Sequence, residues 1–112
     1  MDCIFCKIAN KEIGSLIYED DKVVAFNDLN PQTPIHILIV PKTHISTLND
    51  INDENSYLIG HMAKIASQLA KAKGLEQNGY RLIMNCNNDA GQTVFHIHMH
   101  LLGGKPLKTG LG

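Results

Sequence analysis

A run of alternating histidines near the carboxyl end most constrains how this 112-residue chain folds. His96, His98 and His100 alternate with apolar residues, of which Phe95 is the first. A period of two residues is typical of a β-strand with one buried face. In such a strand the three imidazoles share one side, roughly 7 Å apart from one to the next. The pattern therefore predicts a strand over residues 95–102, with its apolar side chains facing the core.

The residues alone leave three interpretations of this histidine face open. It is an exposed polar surface, a zinc site, or a centre for phosphate chemistry. Imidazoles at positions i and i+2 of a strand can reach one zinc ion, and a histidine can also act as a nucleophile toward phosphorus. Gly91-Gln92-Thr93 lies just upstream and offers a flexible backbone and a hydroxyl, which are the parts of an anion cradle. The presence of this segment beside the three histidines favours phosphate chemistry.

The remaining patterns predict an α+β domain with a mostly antiparallel sheet. Apolar residues recur at helical spacing between Asp53 and Lys73, which predicts one long helix with Asp53 as its N-cap and Gly74 as its stop. A short helix is expected within residues 4–13. Further strands are predicted over residues 16–18, 23–26, 36–40 and 81–85. Since no linker or internal repeat interrupts the chain, residues 1–112 are expected to form a single domain.

Charge and cysteine content narrow the class of protein. The net charge of −1 provides no electrostatic footprint for nucleic acid, and no apolar run reaches the 18 residues of a membrane span. Three cysteines without a signal-peptide-like beginning predict a cytoplasmic location. In that compartment Cys3-x-x-Cys6 is expected to be free or bound to a metal.

The segment of residues 96–102 resembles the signature of the histidine-triad (HIT) superfamily, His-φ-His-φ-His-φ-φ, where φ is apolar. Four more segments are similar to blocks of that family: residues 4–8, 26–32, 36–42 and 91–95. Residues 102–107 are similar to its HINT branch, the purine nucleoside phosphoramidases. The resemblance implies a HIT-like five-stranded sheet with one long and one short N-terminal helix. It also implies a homodimer in which the sheet continues from one subunit into the other.

The same resemblance implies an enzyme that cleaves the P–N bond of purine nucleoside phosphoramidates or aminoacyl adenylates. His98 corresponds to a nucleophile that forms a nucleotidyl-histidine intermediate, and no cofactor is needed for this chemistry. The ligand would be an AMP- or GMP-like purine nucleotide. The implied catalytic residues are His96, His98, His100 and Thr93. The implied nucleotide contacts are Asp28, Leu29, His36, Asn85, Gly91, Thr93, His98 and His100.

The sequence leaves two other functions open. One is a nucleotide-binding regulatory or scaffold protein with weak hydrolase activity. The other is a metal-dependent hydrolase that uses all three alternating histidines as ligands.

Within the implied nucleotide site, Asp28 would accept hydrogen bonds from the ribose hydroxyls, although an aspartate before Pro31 also suits a plain turn. Leu29 and the region of Phe5 and Phe26 would form the apolar slot for the base.

A second site is predicted at the amino terminus. Cys3-x-x-Cys6 has the spacing of zinc ligands, although the pair alone would also suit two buried apolar side chains. In some HIT proteins that carry this pair, the histidine of a Pro-Lys-x-His segment and the first triad histidine complete the site. The resemblance therefore implies a structural zinc held by Cys3, Cys6, His44 and His96.

Overall fold

The computed structural model describes residues 3–110, and an antiparallel five-stranded sheet lies at its centre. The elements follow one another as α1 (Ile4–Ala9), β1 (Tyr18–Glu19), β2 (Val23–Asn27), β3 (Ile35–Pro41), α2 (Tyr57–Ala72), β4 (Tyr80–Ile83) and β5 (Met99–Gly103). The strand order across the sheet is β1-β2-β3-β5-β4, and each neighbouring pair is antiparallel. The predicted α+β class, the long helix and the short N-terminal helix are confirmed.

The central strand β3 separates two apolar clusters because successive side chains of a strand point to opposite faces. Ile37 and Ile39 pack with α2 on one face, whereas Leu38 and Val40 pack with α1 on the other. All four side chains are buried. The continuous apolar sequence of β3 is therefore explained by helices that cover both faces of this strand. His36 also lies on the α1 face, which is the face that carries the candidate site.

Helix α2 begins three residues later than predicted. The side chain of Asn52 accepts hydrogen bonds from the amides of Glu54 and Asn55, and this local turn competes with the first helical turn. Ser56 occupies the N-cap position without a side-chain cap, so Asp53 as N-cap was wrong. Gly74 follows the helix with a φ of 76°, as expected for a helix stop.

The strand that carries the histidines is shorter than predicted. Strand β5 begins at Met99, so His96 and His98 precede the sheet. The cause lies in the backbone, since the amide of Ile97 donates to the carbonyl of Ile45 at 2.7 Å and not to a neighbouring strand. Phe95 is 42% exposed, and its predicted place in the core was wrong.

Across residues 3–110, none of the helices combines the length and the apolar character that a bilayer crossing requires.

Candidate active site

A cavity of about 710 Å³ opens on the face of the sheet opposite α2. This volume lies within the usual range for small-molecule sites. The cavity is apolar on the α1 side, where Phe5 and Ile8 meet Phe26 and Leu38, and polar where the histidines enter. The polar side chains and the loop residues that line it include Asp28, Leu29, Asn30, Gln32, His36, Thr93, His98 and His100.

One hydrogen bond decides how His98 can react. Its Nδ1 lies 2.8 Å from the carbonyl oxygen of His96. Because a carbonyl only accepts, Nδ1 carries the hydrogen, and the Nε2 of the neutral ring keeps its lone pair. Burial lowers the pKa of His98, which favours this neutral form. The rings of His98 and Phe5 pack edge to face with their centroids 5.0 Å apart. This packing also fixes the orientation of the His98 ring.

The polar wall of the cavity contains a second pair of imidazoles. His36 on β3 and His100 on β5 are diagonal neighbours in the ladder, since Leu38 pairs with His100 and His36 with Leu102. The Nε2 of His36 lies 2.9 Å from the Nδ1 of His100. Burial is the main cause that lowers the pKa of His36 and brings that of His100 to about 4. Both rings are therefore neutral near pH 7.

A buried glutamine holds the segment beside the cavity in place. Gln92 is 4% exposed; its oxygen accepts from the amide of Asn87, and its Nε2 donates to the carbonyls of Ser46 and Val94. These bonds fix the turn on either side of Thr93, whose side chain lines the cavity. Local sequence pattern predicts no role for Gln92, because one of its partners, the carbonyl of Ser46, lies 46 positions away in the chain.

The structure places only some of the predicted nucleotide contacts in the same cavity. Asp28, Leu29, His36, Thr93, His98 and His100 line one cavity. Leu29 is fully exposed and lies at its rim. Asn85, Gly91 and His96 are not among the described residues that line it.

His96 instead belongs to the predicted metal cluster. Its Nδ1 lies 3.4 Å from the sulfur of Cys3 and 3.5 Å from that of Cys6. The Nδ1 of His44 lies 3.3 Å from the sulfur of Cys6. All four ligand atoms lie within 4.8 Å of one another. Residues separated by up to 93 positions therefore converge on one point.

The chemistry of these donors fits a zinc ion. Two sulfurs and two imidazole nitrogens form one of the usual tetrahedral donor sets of zinc. The Nε2 of His96 donates to the carbonyl of Pro41 at 2.8 Å, which leaves the lone pair of Nδ1 facing the sulfurs and is the usual support of a metal-bound histidine. Burial and the neighbouring Cys3 raise the pKa of Cys6, so a cation is needed to hold the sulfur of Cys6 as a thiolate.

Comparison with known proteins agrees with this geometry. The HIT domain family model matches residues 10–107. Purine nucleoside phosphoramidase from Escherichia coli (strain K12) is 50% identical over 107 residues, covering 95% of this chain and 90% of that protein. The structure of a HIT family hydrolase from Legionella pneumophila Philadelphia 1 has a TM-score of 0.96 at 48% identity, covering 99% of this chain and 100% of that one.

A further structure bears on the cysteine–histidine cluster. It is that of a zinc-bound histidine triad family protein from Mycobacterium smegmatis. Its TM-score is 0.80 at 35% identity, and the match covers 99% of this chain and 78% of that one. Since the family model and these relatives span nearly the whole sequence, the chain belongs to the HIT domain family.

Proposed function

We propose that this protein is a purine nucleoside phosphoramidase that hydrolyses P–N bonds through a nucleotidyl-histidine intermediate. Phosphoramidates of AMP- or GMP-like nucleotides are the proposed substrates, together with the corresponding aminoacyl adenylates, in which the bond that breaks joins phosphorus to the acyl oxygen. The observation that carries the proposal is the bond from His98 Nδ1 to the carbonyl of His96 at 2.8 Å, because it leaves a neutral Nε2 as nucleophile in the cavity. The 50% sequence identity to the E. coli purine nucleoside phosphoramidase supports this reaction type.

The reaction divides into two displacements at phosphorus. In the first, the lone pair of His98 Nε2 forms a new bond to phosphorus, the bond to the substrate nitrogen breaks, and the amine leaves with a proton taken from solvent water. In the second, water attacks the same phosphorus, the bond to His98 breaks, and the nucleoside monophosphate is released. Charge develops on the phosphoryl oxygens in both steps, so fixed donors beside them accelerate the reaction.

The cavity offers separate surfaces for the parts of a nucleotide. We assign the base to the apolar wall around Phe5 and Phe26, with Leu29 at the rim. Asp28 is half-buried beside it, and its carboxylate can accept from ribose hydroxyls. Thr93 and His100 are assigned to the phosphate, next to His98, while His36 lines the same cavity and contacts His100. Roles for Asn85, Gly91 and His96 in nucleotide binding or catalysis stay predictions from the family resemblance.

Replacing the proposed nucleophile tests the function. His98→Ala should lower the turnover of an adenosine phosphoramidate by several orders of magnitude while AMP still binds, because a nucleophile acts in the transition state. His61→Gln is the matched control, since His61 lies on α2 against Asp20 and away from the cavity. A His98→Ala variant that turns over at nearly the wild-type rate would contradict the assignment. A wild-type protein that binds AMP without turnover would favour the regulatory alternative.

A structural zinc at Cys3, Cys6, His44 and His96 is part of the same proposal. The ion would complete a closed tetrahedral site and stabilise the fold, while His98 and His100 stay free for the substrate. Because thiolate ligands must remain reduced, a cytoplasmic location is proposed with it. Within residues 3–110 no cysteine forms a disulfide, so Cys3 and Cys6 are available as ligands.

We also propose a homodimer in which two copies join along β4. This strand has one neighbour, β5, and no described strand pairs with its outer edge. Unpaired edges are a common route to association. Tyr80 at the start of the strand is 37% exposed, so the edge also presents apolar surface. In this proposal the whole chain, residues 1–112, is one HIT domain.

A further inference from the structure

The tautomer of His36 is set by a backbone amide. His36 is 5% exposed, and its Nδ1 accepts a hydrogen bond from the amide of Gln32 at 3.0 Å. A nitrogen that accepts cannot also carry a hydrogen in that direction. The hydrogen of the neutral ring must therefore be on Nε2, and a second proton on Nδ1 would break the bond to Gln32.

The hydrogen on Nε2 of His36 determines the tautomer of His100. The Nε2 of His36 lies 2.9 Å from the Nδ1 of His100 and 3.4 Å from the carboxylate of Asp28. Because the shorter contact makes the stronger bond, His36 donates mainly to His100. The Nδ1 of His100 then accepts, so the hydrogen of this neutral ring is on its Nε2. Within residues 3–110 that Nε2–H has no hydrogen-bond partner, and His100 lines the cavity.

We propose that the amide of Gln32 fixes the tautomers of His36 and, through it, of His100, so that His100 directs an Nε2–H donor at the phosphoryl oxygen of the substrate. His36 is then a positioning residue that acts through His100. The arrangement is the reverse of that at His98, where the carbonyl of His96 keeps the hydrogen on Nδ1. Neighbouring histidines thus become a nucleophile and a donor at the same pH. The role of the donor rests on the proposed phosphoramidase function, whereas the tautomers themselves do not.

A metal site is the main rival for this cluster. The ligand atoms of Asp28, His36 and His100 lie within 4.8 Å of one another, and two histidines with one carboxylate can bind a divalent transition metal. A metal would need the lone pair of His36 Nε2. That position carries hydrogen as long as the Gln32 amide donates to Nδ1, so the proton-directed pair is favoured over the metal.

Nitrogen-15 NMR of histidine-labelled protein at pH 7 reads each ring nitrogen directly and does not depend on activity. We expect His36 and His100 to be protonated on Nε2 and His98 on Nδ1. Gln32→Pro deletes the donating amide, and we expect the His36 and His100 signals to become those of mixed tautomers. Gln32→Ala keeps the amide while shortening the side chain, and the tautomers should stay as in the wild type.

A second pair of variants tests the donor if Gln32→Pro does not fold. His36→Leu removes the donor to His100, whereas His36→Gln can present an amide N–H at the same place. We expect kcat for an adenosine phosphoramidate to fall at least about tenfold in His36→Leu, with most of the loss recovered in His36→Gln. His100 protonated on Nδ1 in the wild type would overturn the proposal. So would loss of both Nε2–H signals on addition of a second equivalent of Zn²⁺. An inactive wild type with the expected tautomers would instead refute the phosphoramidase function alone.

Discussion

Single hydrogen bonds give chemically identical side chains different tasks in this protein. His96 donates from Nε2 to Pro41 and turns a bare Nδ1 toward two sulfurs. His98 donates from Nδ1 to the carbonyl of His96 and keeps a bare Nε2. In a neutral imidazole one nitrogen donates and the other accepts, so the backbone partner of each ring decides which atom is available. The two uses follow from two different backbone partners.

Burial of these rings predicts how the stability of the fold depends on pH. The pKa of His100 falls from 6.5 to about 4, mainly because burial disfavours the charged form. Between these values the unfolded chain binds a proton that the folded chain does not, so the free energy of unfolding falls as the pH drops from 6.5 toward 4. Urea unfolding at pH 7 and pH 5 should show a smaller loss for His100→Gln than for the wild type. Equal losses in the two proteins would contradict this origin.

The position of His96, which lies apart from His98 and His100, shows what could not be predicted for single residues. Alternation in sequence predicts a common face as long as the chain stays in the sheet. Here Ile97 bonds to the loop that contains Ile45, and His96 turns to cysteines about 90 residues away. Such partners are set by tertiary contacts, so the residue types were predictable from local pattern but the directions of their side chains were not. The resemblance to HIT proteins supplied the ligand set that spacing alone left open.

At the scale of elements, local periodicity predicted the helix and the strands well but placed their ends poorly. The apolar face of α2 contains Leu58, Met62 and Ile65, all nearly inaccessible, and this spacing is visible in sequence. The start of the helix was misplaced because Asn52 forms its own turn with the backbone. A polar side chain that caps a turn and one that caps a helix look alike in sequence.

The outer edge of β4 predicts an association that sedimentation can measure. At micromolar concentration we expect a species of twice the 12.4 kDa chain mass, because edge pairing and a shared core stabilise a domain this small. Tyr80→Lys adds a charge at the edge and should weaken the dimer, as charged edges do in natural sheets. Ile13→Lys is the matched control, since Ile13 is similarly exposed, at 40%, but lies between α1 and β1. A wild-type monomer under these conditions would exclude the dimer.

At the scale of the whole molecule, the cysteine–histidine cluster connects parts that no local pattern brings together. Cys3 caps the first helix through its sulfur, and Cys6 lies one turn further along it. His44 follows β3, and His96 precedes β5. The six-residue helix α1 is too short to be stable by itself, yet it contributes Phe5 and Ile8 to the apolar wall of the cavity. Anchoring this helix to the sheet therefore links a structural site to the shape of the active site.

Metal analysis of protein purified without chelator tests this link, and we expect about one zinc per chain. Cys6→Ser should lose the metal and lower the Tm by at least about 5 °C, the shift that roughly 1 kcal/mol gives in a domain of this size, because the binding energy of a structural metal is folding energy. Cys86→Ser is the matched control, since Cys86 is a half-buried free thiol outside the cluster, and it should keep its zinc. A metal-free wild type, or a Cys6→Ser variant with unchanged zinc content, would refute the site and leave the assignment of His98 untouched.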